Sequence, residues 1–150
     1  MDKVRIGIIG IGNMGSGHAK NIVGGKVPNM ELAAVCDINP ERLAWAKENC
    51  PDAEQFDDAI KMLDSGKVDA VIVATPHYFH PVYVTEALKR DIHVISEKPA
   101  GVYTKAVREV NELAARSKAT YAIMFNQRTN CVYRKMKEIV DSGAMGQIRR

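Results

Sequence analysis

The stretch "VRIGIIGIGNMGSGHAKN", Val4 to Asn21, runs from a near-continuous apolar segment through a cluster of glycines into amphipathic sequence. A short β-branched run apolar at successive positions predicts a strand buried on both faces, the kind that lies inside a parallel sheet. Gly10, Gly12 and Gly15 then form G-x-G-x-x-G at the strand-to-helix junction. In such a junction the first glycine permits a tight turn, the second lets a pyrophosphate approach the backbone, and the third lets the helix pack close to the strand. The helix start adds free N–H groups and partial positive charge for an anion. Read alone, the pattern fits a phosphate cradle or merely a close-packed turn, so the rest of the chain has to decide.

Working outward, the same alternation repeats. "ELAAVCD" (31–37), "VDAVIVAT" (68–75), "IHVISE" (92–97) and "TYAIMF" (120–125) read as further strands, with a weak one near Ala53 to Phe56. Between them, residues 14–23, 40–50, 57–66, 81–91 and 105–118 carry apolar positions at helical spacing. Asn39 before Pro40 and His80 before Pro81 read as N-cap and first-turn pairs, while Gly66 and Gly143 read as helix stops. Strand–helix–strand units of this length require right-handed crossovers, which predicts a doubly wound α/β domain: a parallel sheet with helices on both faces. The sequence shows no internal repeat, low-complexity tract or linker.

Asp37 ends the second strand, about 20 residues beyond the last glycine, where a dinucleotide fold places a carboxylate for the adenosine ribose hydroxyls. A carboxylate there repels a 2′-phosphate and favours NAD, although Arg42 close by keeps NADP open. An acidic turn residue with no ligand is the plainer alternative. A SAM-binding methyltransferase domain uses an acidic residue at the same place, so these motifs alone leave the nucleotide open. The loops "ATPHYFHP" (74–81) and "SEKPAG" (96–101) fall on the same carboxyl edge, where open α/β sheets bind ligands, and bring Thr75, Pro76, Glu97 and Lys98 toward it. His77 and His80 are a catalytic or metal pair by residue type. Their spacing of three in a loop without a carboxylate cluster argues against metal, and His80 reads as a helix cap.

Composition sets the outer bounds. The 150 residues suffice for one domain with its own core, and 46% hydrophobic against 26% charged residues is the balance of a soluble globular chain. A net charge of +3 without a basic stripe gives no footprint for nucleic acid. No apolar run is long enough to span a bilayer and the N-terminus lacks the features of a signal peptide. Cys36, Cys50 and Cys131 are odd in number and lack C-x-x-C spacing, so neither a disulfide framework nor a zinc site is expected, and a reducing cytoplasm fits.

Four segments in order, "GIIGIGNMGSGH", "AAVCDINPER", "VIVATPHYFHPVYVTEALKRDIHVISEKPAG" and "MFNQRTNCVYRKMKEIVDSGAMGQI", together resemble the nucleotide-binding half of the Gfo/Idh/MocA oxidoreductases. The resemblance implies a Rossmann fold in which Gly10, Gly12 and Gly15 hold the pyrophosphate, Ile11, Asn13 and Met14 line the turn, and Asp37 binds the ribose. It implies that Thr75, Pro76, His77 and Glu97 border the nicotinamide, with His80 in the same loop. Lys98, in the E-K-P motif, is implied as the catalytic lysine that touches the substrate hydroxyl and helps move its proton, with Pro99 fixing the loop. Arg128 of "FNQR" matches the arginine where the chain crosses toward the family's second domain.

The sequence departs from the family at Gly17, where a bulkier residue is usual, and at Cys131, often proline. The family's α+β substrate domain, which carries further catalytic residues and the oligomerisation sheet, has no counterpart among these 150 residues. The resemblance therefore implies NAD binding, with NADP possible, within a dehydrogenase of a sugar, cyclitol or similar polyol that assembles as a homo-oligomer. These residues alone are expected to bind cofactor without meaningful turnover and to expose apolar surface over 120–150. A stand-alone nucleotide-binding or sensing module is the alternative from a different class.

Overall fold

Strand β1 (Val4–Ile9) lies inside the sheet because both its faces are apolar: Ile6 and Ile8 pack into one core and Ile9 into another. The structure, a computed structural model, describes residues 3–149. β2 (Met30–Cys36) and β3 (Glu54–Phe56) extend the sheet on one side of β1. β4 (Ala70–Val73), β5 (His93–Ser96) and β6 (Tyr121–Ile123) extend it on the other. The order is β3-β2-β1-β4-β5-β6 and every pairing is parallel. All six predicted strands are present, with ends shifted by one or two residues. The expected strand 68–75 shortens to Ala70–Val73, losing Val68 and Asp69 at its start and Ala74 and Thr75 to the loop at its end.

Right-handed crossovers put the helices in two layers. α1 (Asn13–Val23) and α2 (Pro40–Asn49) cover one face, where Ala19, Ile22 and Ala46 meet Ile6, Ile8, Leu32 and Val35. α3 (Ala59–Asp64), α4 (His80–Leu88) and α5 (Thr104–Ala114) cover the other, where Met62, Val84, Leu88 and Val110 meet Ile9, Val71, Val73 and Val94. Each such fully buried aliphatic side chain contributes about 1.5–3 kcal/mol. The chain runs β1 to β3 in one direction and β4 to β6 in the other. The loops leaving β1 and β4 therefore diverge and open a cleft at their carboxyl ends.

Caps fix where the helices start. Asn39 Oδ1 accepts the Glu41 N–H at 2.9 Å with Pro40 in the first turn, as expected, and Asp58 Oδ1 accepts from Ile60 and Lys61 at 2.7 and 3.0 Å. His80 is different. Helix α4 begins at His80 itself, Phe79 occupies the cap position, and no side chain caps the helix. The predicted His80 cap is thus corrected: carbonyls in the interior claim both ring nitrogens. A sixth helix, α6 (Cys131–Asp141), precedes the stop predicted at Gly143 and is capped by Asn130. Its Val132, Tyr133, Met136, Ile139 and Val140 are all exposed.

Gly15 and Gly17 stand two residues apart in α1 with opposite surroundings. A Cβ on Gly15 would stand 1.8 Å from the Gly10 carbonyl oxygen, whereas one on Gly17 would meet nothing within 4 Å. The Gly17 departure is thus a tolerated glycine rather than a required one. Gly15→Ala is expected to lower the melting midpoint sharply or to prevent folding. Gly17→Ala is expected to raise stability by about 0.5–1 kcal/mol, the usual glycine-to-alanine difference in a helix interior. Thermal melts of the two variants check both signs.

Candidate functional site

The glycine turn is shaped by what cannot fit in it. Gly10 has φ +93 and packs so that a Cβ would sit 2.9 Å from the Ala74 backbone, which locks the β1 turn against the β4 turn. Gly15 brings α1 down onto Gly10. Gly12, the N-cap residue of α1, has nothing within 4 Å of where its Cβ would be. Open space above a helix start with no side-chain cap and no acid in its first turn leaves first-turn N–H groups available to an anion. Asn13 and Met14 are exposed beside this space, whereas the Ile11 side chain is buried at 0% exposure. Ile11 therefore lines the turn with its backbone only, because its side chain belongs to the core.

Asp37 ties the turn to the end of β2. Its Oδ2 accepts the Ile11 N–H at 2.7 Å and its Oδ1 accepts the Asn39 N–H at 2.9 Å. A carboxylate has about four acceptor sites, so lone pairs remain for two hydroxyls of a ribose. Beside it lies a cavity of about 290 Å³ bordered by Gly10, Asp37, Ile38, Thr75, Pro76 and Phe79. The Thr75 Oγ1 is buried without a hydrogen-bond partner. A buried hydroxyl without a partner costs free energy unless something satisfies it, and its place on this cavity fits a ligand group. Arg42 is exposed in the first turn of α2 beyond Asp37.

The E-K-P loop closes the other side. Glu97 is 5% exposed, with Oε1 2.9 Å from His18 Nε2 on α1 and Oε2 accepting the Lys98 N–H at 3.2 Å. Glu97 is thus anchored to α1 and to its own loop. Lys98 is exposed, forms no ion pair among the described residues, and is followed by a cis bond to Pro99. His77 is exposed, edge-on to His80 with ring centroids 5.7 Å apart. His80 is fully buried, its nitrogens taken by the Pro99 and Thr75 carbonyls, so it holds the two loops together instead of presenting a nitrogen to the cleft. Arg128 stands apart from the 290 Å³ cavity, in a 3-10 turn (Asn126–Arg128) beside a groove formed with Tyr133 and Lys137 of α6.

The structure thus brings the Gly10–Gly15 turn, Asp37, Thr75, Pro76 and the E-K-P loop to one edge and leaves Arg128 outside the cavity. Among the described residues no group of three or more His, Cys, Asp or Glu side chains is placed to hold a metal ion. Sequence reading missed His18, whose partner Glu97 is 79 positions away. It also missed Ile38 and Phe79, whose exposed apolar side chains flank the cavity. No local spacing announces either contact.

A strand, glycine turn and helix with an acid ending the next strand, all at the switch point of a 3-2-1-4-5-6 parallel sheet, define a dinucleotide-binding domain of the Rossmann type. Residues 4–125 match the Gfo/Idh/MocA model, described as an oxidoreductase family with an NAD-binding Rossmann fold. The chain belongs to that family, and this settles between NAD and SAM in favour of NAD. It is 33% identical over 146 residues to the inositol 2-dehydrogenase of Rubrobacter xylanophilus, covering 97% of this chain and 42% of that protein. Among solved structures it superposes with a TM-score of 0.90 and 33% identity on the scyllo-inositol dehydrogenase of Lactobacillus casei with bound NAD(H) and scyllo-inositol, covering 98% of this chain and 43% of that one. The WlbA dehydrogenase of Bordetella pertussis, in complex with NADH and UDP-GlcNAcA, gives a TM-score of 0.89 at 28% identity, with 98% and 42% covered. The chain spans less than half the length of these relatives.

Cys36 lies under the cavity, where burial first and the neighbouring Asp37 charge second push its thiol up from 9.0 to about 12. A raised folded value means that the neutral thiol's contribution to stability is intact below 9.0 and is lost as pH climbs through about 12. The melting midpoint is expected to fall across that window, less steeply in Cys36→Ala. In native alkylation followed by mass spectrometry, the exposed Cys131 is expected to label while the buried Cys36 and Cys50 do not.

Proposed function

We propose that these residues form the cofactor-holding half of a nicotinamide-dependent dehydrogenase acting on a polyol, cyclitol or sugar. The observation that supports the reading best is the open cradle over Gly12 together with the orphaned Thr75 hydroxyl on the same edge as Lys98. The first-turn N–H groups of α1 take the pyrophosphate, Asp37 takes the adenosine ribose hydroxyls, and the apolar walls at Ile38 and Phe79 take the adenine. Thr75, Pro76 and His77 border the nicotinamide end. When bound, the nicotinamide accepts or donates the hydride at its C4.

Lys98 completes the chemistry from the protein side. In the oxidative direction a carbon bearing a hydroxyl loses hydride, its C–O bond becomes a carbonyl, and the hydroxyl proton has to leave. Lys98, exposed on an anchored loop and unpaired with any carboxylate among the described residues, is placed to orient that hydroxyl and pass its proton on. The names of the relatives, inositol dehydrogenases above all, support a cyclitol substrate. Since the chain spans 42% of such a relative, these residues alone are proposed to bind cofactor without turnover. Three free cysteines support a reducing cytoplasm, and no described helix is long and apolar enough to cross a membrane. The exposed apolar face of α6 supports contact with the family's second domain, and assembly into a homo-oligomer is proposed for the whole enzyme.

Calorimetric titration with NADH, NADPH and SAM tests the reading. NADH is expected to bind, SAM is not, and failure of both dinucleotides overturns it. Asp37→Ser is expected to weaken NADH by about 10- to 100-fold, the range for one lost charge-assisted hydrogen bond, and to weaken NADPH less.

A further inference from the structure

His80 is fully buried and makes two hydrogen bonds, Nδ1 to the Pro99 carbonyl oxygen at 2.7 Å and Nε2 to the Thr75 carbonyl oxygen at 2.8 Å. Both partners are carbonyls, and a carbonyl oxygen only accepts. Each ring nitrogen therefore has to donate, whereas a neutral imidazole carries a single N–H. A neutral ring would set a bare nitrogen lone pair against a carbonyl oxygen in an interior too dry to soften the repulsion. Among the described residues no carboxylate pairs with the ring, and the edge-on His77 is its aromatic neighbour. The two carbonyl dipoles stand where a counter-ion would otherwise be.

The two carbonyls belong to the two loops of the ligand edge. Thr75 lies in the loop that follows β4 and carries the orphaned hydroxyl; Pro99 follows Lys98. On the other side of Lys98, Glu97 is held by His18. Both neighbours of the lysine are thus fastened by a histidine, and its own side chain is left exposed. We infer that His80 is a doubly protonated, positively charged staple that fastens the Thr75 turn to the E-K-P loop and so positions Lys98. It is a positioning residue, and its effect on cofactor binding rests on the proposed reading of this edge.

The test separates the ring from the reading. In the nitrogen-15-labelled 150-residue chain at neutral pH, both His80 ring nitrogens are expected to appear as N–H groups, assigned by their loss in His80→Gln. One protonated and one bare nitrogen overturns the staple, and through-bond correlations from the ring carbon protons to the two nitrogens read this in the wild-type chain even where His80→Gln does not fold. His80→Asn keeps a donor near Nδ1 and the Pro99 carbonyl, while His80→Gln keeps one near Nε2 and the Thr75 carbonyl. Amide exchange at Lys98 is expected to rise by about tenfold in His80→Gln and by clearly less in His80→Asn, in line with loss of one buried hydrogen bond. NADH affinity is expected to follow the same order. Equal exchange at Lys98 in wild type and both variants overturns the positioning role. If wild type shows both ring N–H groups but binds no NADH, the staple stands and the cofactor reading falls.

Discussion

At residue 15 the backbone of α1 lies so close to the end of β1 that a Cβ would stand 1.8 Å from the Gly10 oxygen. That contact sets the height of α1 over the sheet, and much of the candidate site is built on it. It lets Ala19 and Ile22 reach Ile6 and Ile8, so the helix is held by core packing rather than by its own propensity. It points the uncapped first turn at the open space above Gly12. It also carries His18 to the buried Glu97, which has no other side-chain partner among the described residues. A missing side chain at one position thus serves the anion cradle and the E-K-P loop at once.

The sheet supplies the second constraint. Because β1 and β4 are neighbours while their following loops run opposite ways, the cleft between them has walls of different chemistry. The β2 side carries the Asp37 carboxylate, already oriented by Ile11 and Asn39. The middle carries backbone N–H groups, and the β5 side carries an unpaired lysine. Hydroxyls fit the first, a pyrophosphate the second, and an atom that must lose or gain a proton the third. That order of ribose, pyrophosphate and reacting substrate is the one the proposed function requires, which gives the fit more weight than any single motif in it.

Much of this was legible in the sequence, for physical reasons. Strands buried on both faces have to be largely apolar, and helices over them have to be amphipathic, so pattern marked the central strands and the first five helices clearly, whereas the edge strand β3, Glu54-Gln55-Phe56, is mostly exposed and left only a weak signal. Glycines forced by sterics, such as Gly10, read directly, as did the Asn39–Pro40 helix start. Helix α6 was harder to read, since its apolar face covers nothing among the described residues and only the stop at Gly143 was evident. Long-range polar contacts were illegible. The His18–Glu97 pair spans 79 positions, and the reading of His80 as a cap failed because its partners are backbone carbonyls, which no side-chain pattern encodes.

That failure also alters how the E-K-P loop should be understood. Glu97 and Pro99 are structural on either side of Lys98: one is a buried acid matched to α1, the other a cis proline whose carbonyl is matched to His80 on α4. The two helices lie on opposite faces of the sheet. The loop is therefore clamped from both layers of the fold, and its backbone cannot move without disturbing one core or the other. The Lys98 side chain, by contrast, is exposed and forms no ion pair among the described residues. The proton-handling role proposed for Lys98 gains from that arrangement, because a fixed backbone limits where its amine can reach while a flexible stem lets it meet a hydroxyl without reordering the loop.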